Sequence, residues 1–171
     1  MSVMERSTSW AWRWAAVWDS WTAVTVPRVG DTATIEGPYG RFDFGEPGQA
    51  QVWVAGGIGV APFMARLEAL TSGGAGGNGT IHFFYSVGSA QEATFPQGLA
   101  ALCERAGVTL HMRIAARDGL ISADEIGQFV KQARGVWFCG PAVWARSLRA
   151  ALQRDFGLPR QQFHRELFEF R

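Results

Sequence analysis

From residue 51 onward the sequence predicts an α/β fold, a five-stranded parallel sheet with helices on both faces, and three observations carry that expectation. Short apolar runs rich in β-branched and aromatic residues alternate with stretches whose apolar residues recur at helical spacing. Glycine and proline turns separate the two kinds of segment, most clearly at Gly56-Gly57-Ile58-Gly59-Val60-Ala61-Pro62. The hydrophobic fraction of 47% in 171 residues is ample for a packed core.

The periodicity predicts strands at 51–55, 80–86, 108–114 and 135–139, and a last one near 163–168, with helices at 62–71, 96–106, 122–133 and 142–156. Repeated βα units imply right-handed crossovers and a sheet buried on both sides. Ahead of this lies a different pattern. Trp10, Trp12, Trp14, Trp18 and Trp21 crowd residues 1–22 as an aromatic patch that suits a contact surface. Short strands are expected at 24–26 and 32–36 around the turn Pro27-Arg28-Val29-Gly30-Asp31, followed by Gly37-Pro38-Tyr39-Gly40. The domain division expected is therefore 1–44 and 45–171, and loop 72–79 reads as a flexible spacer.

A net charge of +1 gives no reason to expect nucleic acid as the partner. Two cysteines, Cys103 and Cys139, suit a reducing compartment and not a disulfide framework. No run approaches the roughly 18 apolar residues of a membrane span. No ligand spacing joins His82, His111 and Cys103, so no metal site is expected.

The glycine turn is the chief candidate for chemistry. Glycine lets the backbone approach a ligand closely, and a helix's first N–H groups and dipole attract a phosphate. No Ser, Thr, Asp or Asn precedes Pro62 to cap that helix, which leaves room for an anion; a tight structural βα turn explains the same residues equally well. Ligands of such sheets lie beyond the carboxyl ends of the strands, where several marked residues fall. Ser86 and Ser89 follow the second strand and suit either a nucleotide or a plain turn. Arg113 and Arg117 flank the end of the third strand, and Arg117 forms either a phosphate ligand or a solvated pair with Asp118. Cys139, Gly140 and Pro141 close the fourth. The alternation from Glu166 to Phe170 suits an edge strand whose rings finish the core.

Together Gly37-Pro38-Tyr39-Gly40, Gly56-Gly57-Ile58-Gly59-Val60-Ala61-Pro62, Tyr85-Ser86, Phe138-Cys139-Gly140-Pro141 and Glu166-Leu167-Phe168-Glu169-Phe170-Arg171 resemble the ferredoxin-NADP reductase superfamily, and within it the bacterial ferric-reductase or NADPH-oxidase-like group. The resemblance implies an NAD(P)H-binding domain over 45–171 and a remnant of an FAD-binding barrel over 1–44. It implies hydride transfer from NAD(P)H to FAD, then electrons to haem, ferric iron or an iron-sulfur partner. By the same resemblance Tyr39, Gly56, Gly57, Ile58, Gly59, Pro62, Ser86, Ser89, Arg113, Arg117, Gly140 and Pro141 would hold cofactor. Cys139, Glu166, Phe168 and Phe170 would line the reacting centre.

Two departures accompany it. Gly88 stands where NADPH-preferring members often carry a basic residue, leaving Arg113 or Arg117 to compensate. The flavin motif Arg-x-Tyr-Ser/Thr is absent, and only Asp19-Ser20-Trp21-Thr22 faintly resembles the flavin-diphosphate segment. The chain thus reads as the carboxyl-terminal part of a reductase, cytoplasmic, or held at the inner face of the membrane by a haem-bearing partner. The alternative is a non-catalytic NAD(P)H-binding module that docks through its Trp-rich amino terminus.

Overall fold

Five strands, all parallel, pair in the order β3-β2-β1-β4-β5. They are β1 (Gln51–Gly56), β2 (Ile81–Val87), β3 (Val108–Ile114), β4 (Val136–Cys139) and β5 (Phe163–Glu166). This computed structural model describes residues 42–44, 48–72, 79–93 and 98–166, with Gly30 and Thr32. The chain divides into two compact units, Met1–Tyr39 and Gly40–Arg171, and the sheet belongs to the second. The Trp-rich segment, the strands expected at 24–26 and 32–36, Tyr39, Phe168 and Phe170 lie outside the described residues.

The expected parallel sheet is what forms. The chain builds β1, β2 and β3 outward on one side, then returns past β1 to lay down β4 and β5 on the other. That reversal puts a topological switch point between β1 and β4.

Burial on both faces explains the continuous apolar runs. Val52 and Val54 of β1 join Phe84, Phe138 and Trp144 in one buried cluster, while Trp53 turns to the opposite face against Phe63 and Phe83. Helices α1 (Ala61–Thr71) and α2 (Leu99–Arg105) contribute Phe63, Met64, Leu67, Leu99 and Leu102 to the core. Helices α3 (Ala123–Val130) and α4 (Ala142–Phe156) contribute Ile126, Val130, Leu148 and Leu152 to the cluster with Val52. Phe42 and Phe44 lie in the same unit as the sheet, with the Phe44 ring 5.0 Å from Trp53 and stacked on Trp137 at 6.3 Å.

Boundaries differ from the sequence expectation where the ends are tied elsewhere. Helix α3 stops at Val130 and not 133, because the chain there is pulled onto the sheet: Arg134 N–H donates to Ala50 O at 2.7 Å and Val52 N–H to Gly135 O at 3.2 Å. Helix α2 starts only at Leu99, after Gly98 at φ +81°. Short helical turns at Ala90–Ala93 and Ala115–Asp118 stand where periodicity signals only loop.

Candidate functional site

The glycine turn lies at the switch point, and its three glycines serve three different ends. Gly56 closes β1 with an extended backbone; a Cβ there would meet Pro141 Cδ at 2.8 Å and the Trp144 ring at 3.1 Å. Gly59 is tighter still. A Cβ on it would stand 2.2 Å from the Cys139 carbonyl oxygen, and one on Gly140 would stand 3.0 Å from Gly56 N. These two loops, one from each side of the reversal, therefore touch backbone to backbone. Gly57 is different. It has φ +54°, and a Cβ built on it meets nothing within 4 Å. Its glycine is explained by backbone conformation and leaves an open face above β1.

From Gly57 the chain runs through a 3-10 turn, Gly57–Val60, directly into α1 with Pro62 in its first turn, and no side chain caps either. The first N–H groups of such a turn lack helical partners. Ile58 is 49% exposed beside them. An open face, uncapped N–H groups and a helix dipole are the features that attract an anion.

Cys139 and Glu166 end β4 and β5 as strand partners. The thiol is fully buried; burial, and then the charge of Glu166, push it up to about 12, so it stays protonated at neutral pH. It serves there as a small neutral wall, and nucleophilic chemistry needs the thiolate it does not form.

The carboxyl ends of β2 and β3 have another character. Ser86 pairs across with Gly56 and is 3% exposed. Ser89 accepts from Glu92 N–H at 3.3 Å, and the Glu92 carboxylate accepts from Gly88 N–H at 2.9 Å. Arg113 donates to Glu125 Oε1 and, at 3.3 Å, to Asp118 O. Arg117 makes two bonds to Asp118, at 2.7 and 2.9 Å, with its side chain 73% exposed. Of the two sequence readings of Arg117, the solvated pair is the one seen. The Arg117 guanidinium holds the Asp118 carboxyl low, and the Ser122 backbone N–H, then the Arg113 charge, do the same for Glu125.

The structure thus gathers Gly56, Gly57, Ile58, Gly59, Pro62, Cys139, Gly140, Pro141 and Glu166 at the switch point, with Ser86 adjoining. Ser89, Arg113 and Arg117 sit on the neighbouring rim. Sequence reasoning missed Glu92, although Ser89-Ala90-Gln91-Glu92 has the S-x-x-E spacing that marked Ser122 and Glu125 as a capping box. It also missed Trp144, whose ring presses on Gly56. His82 and His111, read separately, form a pair: His82 Nδ1 and His111 Nε2 are 3.1 Å apart under Phe129.

The chain is 29% identical over 154 residues to a flavohemoprotein of Pseudomonas putida, covering 82% of this chain and 38% of that protein. It is 36% identical over 63 residues to the toluate 1,2-dioxygenase electron transfer component of Pseudomonas putida, which is 37% of this chain and 18% of that one. The crystal structure of the flavohem-like FAD/NAD binding domain of nitric oxide dioxygenase from Vibrio cholerae superposes with a TM-score of 0.63 at 25% identity, over 77% of this chain and 56% of that one. The fold is ferredoxin reductase-like. Strand order and glycine turn agree with that assignment, and the chain spans 38% and 18% of the two curated relatives. No family model matches the sequence. Among the described residues no helix is long and apolar enough to cross a membrane, and no group of three or more metal-ligating side chains occurs.

Proposed function

We propose that this ferredoxin reductase-like domain binds NAD(P)H at the switch point and delivers its hydride to FAD, from which electrons pass to haem, ferric iron or an iron-sulfur partner. One observation carries the reading: Gly57, at φ +54° with open space above it, begins an uncapped helical turn at the switch point. A pyrophosphate would take the orphan N–H groups of Gly57 to Gly59, with Pro62 fixing the helix behind them. Ser86 stands beside Gly56 for the same ligand. Redox chemistry would come from the cofactors themselves, while the protein supplies placement and electrostatics.

At the far side of the cradle Cys139 supplies an uncharged thiol and Glu166 a carboxylate, between Gly140-Pro141 and the end of β5. Phe168 and Phe170 follow Glu166 in sequence as the rings we assign to the flavin side, and Tyr39 as a further flavin contact. The relatives support the electron route: one is a flavohemoprotein and another is an electron transfer component. A partner reached through the Trp-rich amino terminus, and a position at the inner face of a membrane, belong to the same proposal.

Calorimetric titration with NADH and NADPH, with and without FAD, tests it using two variants. Gly57→Asn keeps the positive φ that Asn tolerates but places a side chain over the cradle, and Gly57→Val adds backbone strain as well. Binding by wild type that is lost in Gly57→Asn, with stability within about 1 kcal/mol of wild type, is the expected result. Undiminished binding in a folded Gly57→Asn would remove the glycine turn from the site.

A further inference from the structure

Along the outer edge of the sheet, two strands away from the glycine turn, a cavity of about 290 Å³ opens between β3 and α3. The fold leaves it there for a simple reason. Helix α3 is eight residues long and turns Ile126 and Val130 towards Val52, Val54 and α4, so it does not reach across the edge strand. On that side β3 keeps Thr109 exposed and His111 and Arg113 half-buried, whereas Phe84, the strand partner of His111, is 4% exposed. Aromatic rings wall the space. Phe84 and His111 stack at 4.4 Å with their planes 10° apart, and Phe129 tilts towards both at 5.6 Å. The volume is at the lower end for a small-molecule site, which starts at about 300 Å³. It suits a flat molecule of one or two rings and is too narrow for a helix about 10–12 Å across.

One side of the cavity is polar, and its polarity is balanced. Arg113 and Glu125 line it as an ion pair. Arg113 has five N–H donors and spends them only on Glu125 and the Asp118 carbonyl, while Glu125 Oε2 accepts from Ser122 N–H at 2.8 Å. Gln128 is exposed beside them and adds an amide, whose Nε2 donates to the Glu125 carbonyl at 3.3 Å. His111 meets His82 through Nε2, so its Nδ1 stands outside that pair. Burial lowers both histidines, which leaves the pair neutral at neutral pH and either tautomer open to His111. A carboxylate entering here reaches Arg113 only by displacing Glu125, and an ammonium group faces the reverse. A neutral edge with one donor and one acceptor meets both members of the pair, and the Gln128 amide, without separating them.

We propose that this cavity is a second ligand site, one that takes a neutral aromatic amide or lactam of one or two rings. The ring lies among Phe84, His111 and Phe129, and the amide edge meets Arg113, Glu125 and Gln128. The proposal does not depend on nucleotide binding, because none of these residues lies at the switch point. Two probes with the same rings test it, 2-naphthamide with a neutral edge and 2-naphthoate with a charged one, titrated into the full chain and followed by NMR of the histidine ring protons. The amide is expected to bind saturably, with a dissociation constant of about 1 mM or tighter for a molecule of this size, and to shift His111. The naphthoate should bind about tenfold more weakly, the scale of one hydrogen bond lost to Glu125. Gln128→Ala, at an exposed helix position, should weaken the amide about tenfold, and Gln128→Trp should abolish its binding by filling the space. NADH in excess should leave the amide's affinity unchanged. Failure of the amide to saturate, equal affinity for the two probes, undiminished binding in Gln128→Ala, or displacement by NADH would each overturn the proposal.

Discussion

The carboxyl ends of the sheet fall into two halves built by opposite means. Over β1 and β4 the chain uses almost no charge; glycines let two loops meet at backbone distance, and Cys139 fills the space behind as a protonated thiol. Over β2 and β3 it uses charge throughout, with Glu92, Arg113, Asp118, Arg117 and Glu125 linked through Gly88, Ala116 and Ser122. The difference teaches where each kind of specificity can reside. A site that must let a ligand approach backbone N–H groups has to omit side chains, whereas discrimination between ligands differing by a phosphate needs fixed charge.

Steric faults should therefore dominate in the first half and electrostatic ones in the second. Gly59→Ala is expected to have the largest effect on stability. The colliding atom is the Cys139 carbonyl, which cannot rotate away, so overpacking should cost about 3 kcal/mol in urea unfolding. A midpoint near wild type would mean that the two loops are not in contact in solution.

Both sides of the sheet should respond to acid. Burial lowers His82, His111 and, on β5, His164, and the charge of His111 lowers His82 further. Because their folded values lie below the unfolded one, the unfolded chain binds more protons, and stability should fall as pH drops through about 6.5. Glu125, held low when folded, adds a second loss that begins as pH falls past about 4. Hydrogen exchange against pH should place the first loss at both edges of the sheet, under β2 and β3 and under β5, where His164 stacks on Trp137. Exchange at these strands that does not change as pH falls through about 6.5 would overturn the expectation.

Smaller effects grade the rim itself. Ser122 caps α3 by accepting from Glu125 N–H, and Ser122→Ala should cost about 1 kcal/mol in thermal or urea unfolding. Arg117→Ala should leave the midpoint unchanged within error, since its pair with Asp118 is solvated. A measurable loss there would show the rim network to be cooperative.

Much of this was legible in the chain. Val52 to Ala55, Phe83 to Tyr85 and Val136 to Cys139 are continuous apolar runs, and such runs separated by helical periods admit few arrangements besides a parallel sheet covered on both faces. The glycine turn and Cys139-Gly140-Pro141 were marked as strand ends for the same reason. Their separate duties were not legible, because a glycine required by φ and a glycine required by a neighbour's carbonyl are the same letter. Glu92 escaped notice because it lies five residues past its strand and is returned by a turn too short to show periodicity.

By itself the sequence determined the number and kind of elements, the buried faces and the place of the turn, since all of these follow from local preference and hydrophobic period. Only the tertiary structure decided which glycine stays open, which arginines are already paired and which carboxylate stands over the end of β2. Those depend on residues far apart in the chain meeting at a few ångströms, such as Gly59 with the Cys139 carbonyl and Gly88 with Ala116, and no local pattern encodes such a meeting.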